Sequence, residues 1–199
     1  MNLQNYKVLV LVVTAVSALI TASPALQHLL VFPQGESFTE LWLLGPGHLA
    51  EGFPYNVTSG QRYDIFLGVS NHLGHAAYYS VQVKFRNLTQ LALDSINRTS
   101  SSLPALCNVY AFVADNETWE LPINYGFDYS YDSGLSRVSF SRLVFNGEEL
   151  GLGGYHASWD VNRTAFFGDL MFELWVYDDA VNGFQYHERY VDLKFNMTV

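Results

Sequence analysis

Two histidines, His72 and His75, are the residues best suited to metal chemistry, and they lie three positions apart. Imidazole nitrogens are common ligands of zinc and other transition metals. A stable site would also need a helix or a nearby carboxylate to fix the two rings, and the surrounding sequence NHLGHAA has neither. We therefore expect a surface turn at this position and no bound metal.

A second candidate is Asp128–Gly134, DYSYDSG, in which oxygen-bearing side chains alternate. An EF-hand calcium loop has glycine at position 6 and a bidentate glutamate at position 12. Here the glycine comes one position late, and no glutamate closes the loop. We expect no calcium site.

Motifs for covalent catalysis are absent from the sequence. There is no G-x-S-x-G nucleophile elbow and no glycine-rich phosphate loop after a strand. The single cysteine, Cys107, is interpreted as a small buried residue at the start of a strand, with an intermolecular disulfide or a reactive thiol as the alternatives. We expect a structural role for His187, no catalytic residue and no cofactor. The remote alternative is a metal-dependent enzyme assembled from distant histidines such as His156.

Modification sites give a much stronger signal. Six of the nine threonines lie two positions after an asparagine, and no proline intervenes. Asn-x-Thr is the acceptor for N-linked glycans on chains exposed outside the cytoplasm. The sequence therefore predicts N-glycosylation at Asn56, Asn87, Asn97, Asn116, Asn162 and Asn196.

The N-terminal region indicates contact with a membrane. Val8–Leu26 is an uncharged run of nineteen residues, close to the roughly 20 that a membrane-spanning helix needs. Lys7 on its N-terminal side favours a cytoplasmic N-terminus with the rest of the chain outside. We predict a retained anchor over residues 1–33 and an extracytoplasmic domain over 34–199. The alternative is a signal peptide cleaved near Ala25, which would release the domain.

Length and charge limit the remaining possibilities. The 199 residues, 49% of them hydrophobic, suffice for one well-packed domain. A net charge of -9 without a cluster of Lys or Arg repels phosphate groups, so we expect no nucleic acid partner.

The elements that would hold these residues are strands. In Arg62–Ser70 and Tyr78–Asn87 the odd positions are apolar and most even positions are polar, which is typical of half-buried strands. The seven residues between them can let the two strands pair or pack near each other. Further strands are predicted over Phe38–Gly45, Cys107–Ala114, Thr118–Leu121, Arg137–Phe145, Phe172–Tyr177 and Phe184–Met197.

About eight short strands and no amphipathic helix after the anchor predict an all-β fold, an immunoglobulin-like antiparallel β-sandwich preceded by one N-terminal apolar helix. The Asn146-Gly147 dipeptide favours a type I′ or related tight turn. With one cysteine, the chain lacks the disulfide of a true immunoglobulin domain.

Several stretches also resemble a known family. They are FTELWLLGPGHLAEGFPYNVTSGQRYDIFLGVSNHLGHAAYYSVQVKFRNLTQ, SLPALCNVYAFVADNETWELP, FELWVYDD and FQYHERYVDLKFNMT. In this order they are similar to the C-terminal extracytoplasmic domain of an archaeal family of membrane proteins of unknown function, over roughly Ser37–Thr198. The resemblance implies an immunoglobulin-like fold in an archaeal cell envelope and supplies no catalytic residues. Members often carry several membrane helices before this domain, whereas this chain has one candidate.

These observations favour a membrane-anchored, N-glycosylated extracytoplasmic module that plays a structural or interaction role in an archaeal envelope or membrane complex. Its expected partners are the membrane, through the N-terminal helix, and another protein or a second copy of the chain. The alternative is a secreted filament subunit, released by signal cleavage, in which Leu29–Phe32 adds a strand to a neighbour's sheet.

Overall fold

The computed structural model describes residues 3–29, 37–91, 93–94 and 96–199. The chain divides into two units, Met1–Glu36 and Ser37–Val199. Helix α1 spans Leu3–Leu29 in the first unit and contains the apolar run in which a helix is predicted. The predicted domain boundary at 33/34 and most of the proposed strand donor Leu29–Phe32 lie outside the described residues, so both stay predictions. None of the helices in the described parts of the chain meets the length and hydropathy needed to cross a membrane.

The second unit is built from β-strands. In the described residues these are β1 (Phe38–Leu44), β2 (Asn56–Thr58), β3 (Tyr63–His72), β4 (Ala77–Arg86), β5 (Cys107–Val113), β6 (Thr118–Asp132), β7 (Arg137–Phe145), β8 (Glu148–Gly151), β9 (His156–Asp160), β10 (Ala165–Asp178) and β11 (Gly183–Thr198). The predicted all-β, immunoglobulin-like sandwich is confirmed.

Two sheets form the layers of the sandwich. Sheet A has the order β1-β3-β6-β7, with β8 and β9 also paired to β7. Sheet B has the order β2-β11-β10-β4-β5. Strand β9 pairs with both β7 and β10, so the two layers are joined into one curled sheet.

The alternating apolar residues of β3 and β4 lie in the core, as their period predicts. Ile65 and Leu67 of β3 and Val81 and Val83 of β4 are completely buried. The two strands do not pair: β3 lies between β1 and β6, whereas β4 lies between β5 and β10. Of the two arrangements that the connection allows, the structure therefore has the one in which the strands belong to different sheets.

Several strand predictions were wrong in number, length or direction. The expected break after Leu121 is absent, because β6 continues to Asp132. Pro122 is accommodated because β7 pairs with β6 only from Tyr125 onward, so no β7 acceptor faces the missing N–H. Strands β8 and β9 occupy a region for which no strand was predicted. Strand β2 runs parallel to β11, the one exception to antiparallel pairing in the described residues.

The tight turn predicted at Asn146-Gly147 is present, and it joins β7 to the unpredicted strand β8. Both residues have positive φ, 49° and 85°, as a type I′ turn requires. Phe145 and Glu148 on either side of the turn are paired in the ladder.

Candidate interaction surface

Strand β5 is an open edge of sheet B, since among the described strands it pairs only with β4. Its sequence, CNVYAFV, contains neither charge nor proline. Ala111 and Val113 face the core, whereas Asn108, Tyr110 and Phe112 are exposed. The Val113 carbonyl already accepts a hydrogen bond from the Asn71 side-chain amide at 3.0 Å. The remaining six residues of the edge, Cys107–Phe112, have no charge, proline or bulge and are a template for pairing with another strand.

Aromatic rings cover the outer face of sheet B beside this edge. Tyr78 lies with its ring centroid 5.9 Å from that of Tyr110 and 5.3 Å from that of Phe184. Tyr177 lies 5.5 Å from Phe184. Phe112, next along β5, is 71% exposed. We call these five residues, Tyr78, Tyr110, Phe112, Tyr177 and Phe184, the aromatic patch.

The loops at this end of the sheet are acidic. Strands β5 and β10 both end here, and they lead into turns that contain Asp115, Glu117, Asp178 and Asp179. Residues 99–136 and 164–188 contain no Lys or Arg. The Asp115 carboxylate accepts a hydrogen bond from the backbone N–H of Gly74 at 2.8 Å. This bond links the β5–β6 turn to the loop between β3 and β4. The aromatic patch thus has a negative rim.

The other half of the same face is covered by the connection between β4 and β5. Lys84 donates to the Glu173 carboxylate and to the Ser101 carbonyl, each at 2.8 Å, and Glu173 accepts from the Ser101 N–H. The Lys84 and Glu173 side chains are only 3% and 0% exposed. The alternation in the sequence places Lys84 on the outer face of β4, but the connection between β4 and β5 shields it from solvent.

A second ion pair lies beside the first. Arg86 donates to one carboxylate oxygen of Asp169 through two nitrogens, at 3.0 and 2.7 Å. Burial raises the pKa of Asp169, and the guanidinium opposes that shift. The second oxygen, Oδ1, accepts no hydrogen bond from the described residues. The two ion pairs and Ser101 hold the connection against sheet B, so the aromatic patch is the open half of the face.

His72 and His156, two of the histidines considered for metal binding, have separate hydrogen-bond partners. His72 contacts the Ser70 hydroxyl and the Asn116 amide oxygen, and His156 contacts the Ser139 hydroxyl. In the residues that the structure describes, no three His, Cys, Asp or Glu side chains are placed to share a metal ion. Of the candidate calcium ligands, Asp128 forms an ion pair with Arg142. The Asp132 carboxylate accepts hydrogen bonds from the backbone N–H groups of Gly134 and Leu135 in the β6–β7 turn.

His187 is half-buried and contacts a buried polar residue of β1. A bulge places His187 and Glu188 between the pairs Trp175–Tyr186 and Leu174–Arg189. The Nε2 atom of His187 lies 2.8 Å from the hydroxyl of Thr39 in β1, so the ring links β11 to sheet A. Burial lowers the pKa of His187, and the positive charge of Arg189 acts in the same direction.

Cys107 lies at the start of β5, as predicted, but it is half-buried, whereas the prediction had it buried. Burial, assisted by the negative charge of Glu148, raises the pKa of its thiol to about 11. The thiolate that would attack a disulfide is therefore scarce at neutral pH.

The six acceptor asparagines differ in exposure. Asn56, Asn97, Asn116 and Asn162 are exposed, and Asn196 is half-buried. Asn87 is 8% exposed, and its side-chain amide donates to the His156 carbonyl at 2.7 Å. Asn56 and Asn196 face each other on β2 and β11, so these two sites lie at the edge of sheet B opposite β5.

Comparison with known proteins identifies a family but no activity. Residues 33–153 match the family described as "Domain of unknown function (DUF1616)". The match ends after β8, so FELWVYDD and FQYHERYVDLKFNMT lie outside it. The resemblance to a family of unknown function is confirmed in this form, while its archaeal and membrane attributes stay predictions. No curated protein matches the chain.

Similar solved structures include the CARDB domain of a Pyrococcus furiosus protein in complex with di-metal ions, at 8% identity and a TM-score of 0.39. That match covers 82% of this chain and 90% of the other. The β-glucosidase of Listeria innocua in complex with glucose matches at 11% identity and a TM-score of 0.37, over 82% of this chain and 16% of the enzyme. Likenesses at this level carry no information on activity, ligand or partner.

Proposed function

The chain belongs to the DUF1616 family, and from this premise we propose that it is a membrane-attached, N-glycosylated interaction module of the cell envelope that binds an extended segment of a partner protein along β5. The open edge of β5 is the observation that carries the proposal. Main-chain hydrogen bonds at such an edge provide affinity, and neighbouring side chains provide selectivity.

The aromatic patch and its rim suggest what kind of segment would bind. Aromatic side chains are enriched at protein interfaces because they bury a large area and lose little conformational entropy. The acidic rim, whose turns contain no Lys or Arg, favours a partner with apolar side chains flanked by basic residues and disfavours a second acidic surface. The partner we propose is therefore a basic, extended segment.

The acceptor sites support the choice of edge. Glycans on Asn56 and Asn196 would crowd β2, which is the other edge of sheet B. No acceptor asparagine lies within Cys107–Val113. If both sites are glycosylated, β5 is the more accessible edge of this sheet, and the acceptor Asn116 lies beyond it in the turn before β6.

The proposed membrane attachment rests on Val8–Leu26. Its described apolar side chains are exposed. The hydroxyl groups of Thr14 and Thr21 donate to helix carbonyls four residues earlier, at 2.8 and 2.9 Å, so neither needs water as a partner. Carbonate extraction of native membranes and N-terminal sequencing test this step. A retained chain that begins at Met1 supports the anchor, and a chain that begins near Leu26 overturns it in favour of a cleaved signal.

Strand addition is tested by a photo-crosslinking amino acid at position 112 in intact cells. We expect a discrete adduct whose crosslinked peptide is extended and basic. The matched control is Val161, which is also exposed, at 77%, but lies in the β9–β10 turn. Tyr110→Lys should abolish the adduct and lower the melting temperature only by the small amount expected from losing the ring contacts of Tyr110 with Tyr78 and Phe184. Identical adducts from both positions, or none from position 112, would refute the proposal.

The filament hypothesis predicts a different result from the same experiment, because β5 would then accept the N-terminal tail of another copy. Crosslinks from position 112 to residues 26–36 of this chain would support the filament and contradict a separate partner.

Glycosylation is tested by peptide mass spectrometry of the native protein. We expect hexose-containing adducts at three or more of the six sites, with Asn87 unmodified because its amide is buried and bonded. Six unmodified sites would refute glycosylation, and a glycan at Asn87 would contradict the geometry of that site.

A further inference from the structure

The hairpin formed by β9 and β10 contains an aromatic residue a short distance before an acceptor asparagine. Its sequence, Trp159-Asp-Val-Asn162-Arg-Thr164, has tryptophan three positions before Asn162. In the ladder Trp159 pairs with Phe166, and the next pair, Asp160 with Ala165, closes the hairpin. The four residues 161–164 therefore form the turn. The tryptophan and the glycan acceptor therefore lie on the same short hairpin.

Both residues line a single cleft. Its volume is about 380 Å³, and its walls include Leu88, Thr89, Trp159, Asn162, Arg163 and Phe167. This volume is within the range of about 300–1,000 Å³ that is typical of small-molecule sites. The cleft can hold a small ring.

The walls have the chemistry that sugars require. Trp159 is 45% exposed, with its ring centroid 5.1 Å from that of Phe166 in an edge-to-face arrangement. Aromatic surfaces of this kind pack against the C–H faces of sugars, while nearby polar groups meet the hydroxyls. Arg163 provides such a group: it donates to Asp160 at 2.7 Å and lies 5.0 Å from the centre of the Phe167 ring.

The side-chain amide of Asn162 differs in its hydrogen bonding from the amides of most of the other acceptor asparagines. The side-chain amides of Asn87, Asn97, Asn116 and Asn196 all donate hydrogen bonds, at 2.6–3.1 Å. In the described residues the Asn162 amide has no such bond. Its backbone N–H donates to Asp160 at 2.9 Å and holds the turn without using the side chain. Attachment of a sugar at Asn162 therefore displaces no existing contact.

We infer that a glycan on Asn162 is part of the folded structure, with its first sugar seated in this cleft against Trp159. The inference rests on the proposed glycosylation. The bond forms between the Asn162 side-chain nitrogen and the anomeric carbon as the sugar–phosphate bond of a lipid-linked donor breaks. The amide proton leaves with the released phosphate.

The test is a thermodynamic cycle on full-length glycoprotein from the native host. Asn162→Gln removes the glycan, and Trp159→Ser removes the aromatic wall. In the wild-type background, loss of the glycan should lower the melting temperature by about 2–4 °C, the shift that about 1 kcal/mol produces in a domain of this size. In the Trp159→Ser background, loss of the glycan should change it little. Nuclear Overhauser contacts between sugar protons and the Trp159 ring should be present in the wild type.

Two controls separate this effect from others. Thr164→Ser keeps the acceptor sequence and should keep the shift. Asn97→Gln removes a glycan from another exposed site without a tryptophan three positions before it, and should not depend on Trp159. Equal losses in both Trp159 backgrounds, or no loss in either, would overturn the inference.

The occupancy of the acceptor sites shows whether this inference fails alone or the proposed glycosylation fails with it. An empty Asn162 beside occupied sites would overturn this inference and leave the glycoprotein proposal intact. Six empty sites would overturn both.

Discussion

The outer face of sheet B has two halves that share strands but differ in their exposure to solvent. In the open half Tyr78 and Phe112 face solvent, and in the covered half Lys84 and Glu173 are almost completely buried. Tyr78 and Lys84 lie on the same face of β4, six residues apart. The chemistry of the two side chains would suggest the reverse distribution, since lysine is rarely buried and exposed aromatic groups are costly.

The difference shows that the face of a strand is set by its period, whereas burial on that face is set by what covers it. The connection after β4 covers the charged half and satisfies it through Ser101. Nothing in the described residues does the same for the aromatic patch. This contrast is the reason to assign binding to the patch and stability to the ion pairs.

The largest expected effect comes from breaking the covered ion pair. Glu173→Gln leaves Lys84 buried without a counter-charge, and we expect the free energy of unfolding to fall by about 3–5 kcal/mol. The matched control is Glu188→Gln, which breaks an exposed pair with Arg98 and should cost about 0–1 kcal/mol. Urea denaturation measures both, and equal losses would mean that Lys84 is not sealed from water.

Replacing both partners should restore much of this loss. In the double variant Lys84→Met with Glu173→Leu, we expect a stability between that of Glu173→Gln and that of wild type, because no charge remains buried but the Ser101 N–H and carbonyl lose their partners. A double-mutant cycle by urea denaturation yields the coupling energy. Additive losses would show that the two charges act independently.

A smaller effect is expected from pH at His187, whose ring contacts Thr39 of β1 and links β11 to sheet A. Its lowered pKa means that protonation favours the unfolded chain. This contribution to stability is complete above about pH 6.5, the ordinary histidine value, and decreases as the pH falls toward the folded-state pKa. Urea titrations at pH 7.5 and 6.0 should show a drop in the free energy of unfolding that His187→Gln reduces, and a drop of the same size in this variant would contradict the assignment to His187.

The smallest effect on stability is expected in the open half. Tyr110→Ser removes cross-strand ring contacts with Tyr78 and Phe184 and should cost about 0.2–1 kcal/mol. Phe112→Ser should change stability by about 0.5 kcal/mol or less, because the ring is mostly exposed. Thermal melts measure both changes, and a loss as large as that of Glu173→Gln would make the patch part of the core.

Much of the architecture follows from local pattern. The alternation in β3 and β4 predicts which side chains fill the core, and the apolar run near the N-terminus predicts α1. The Asn146-Gly147 turn follows from the backbone that this dipeptide prefers. Each of these properties depends on neighbours in sequence, so the sequence alone was sufficient.

Strands without such a pattern were missed, notably β8 and β9, because short strands take their stability from the partners they pair with. The continuation of β6 through Pro122 was missed for the same reason: whether a proline breaks a strand depends on whether another strand needs its N–H.

The sequence by itself determined the all-β class, the apolar N-terminal segment and the six acceptor asparagines, because each is a property of composition or spacing. Only the tertiary structure decided that β5 is an open edge, that the connection after β4 seals Lys84 against Glu173, and that Asn162 shares a cleft with Trp159. These arrangements join residues up to 89 positions apart. Contacts at such separations depend on the order of strands in the sheet, which local periodicity does not specify.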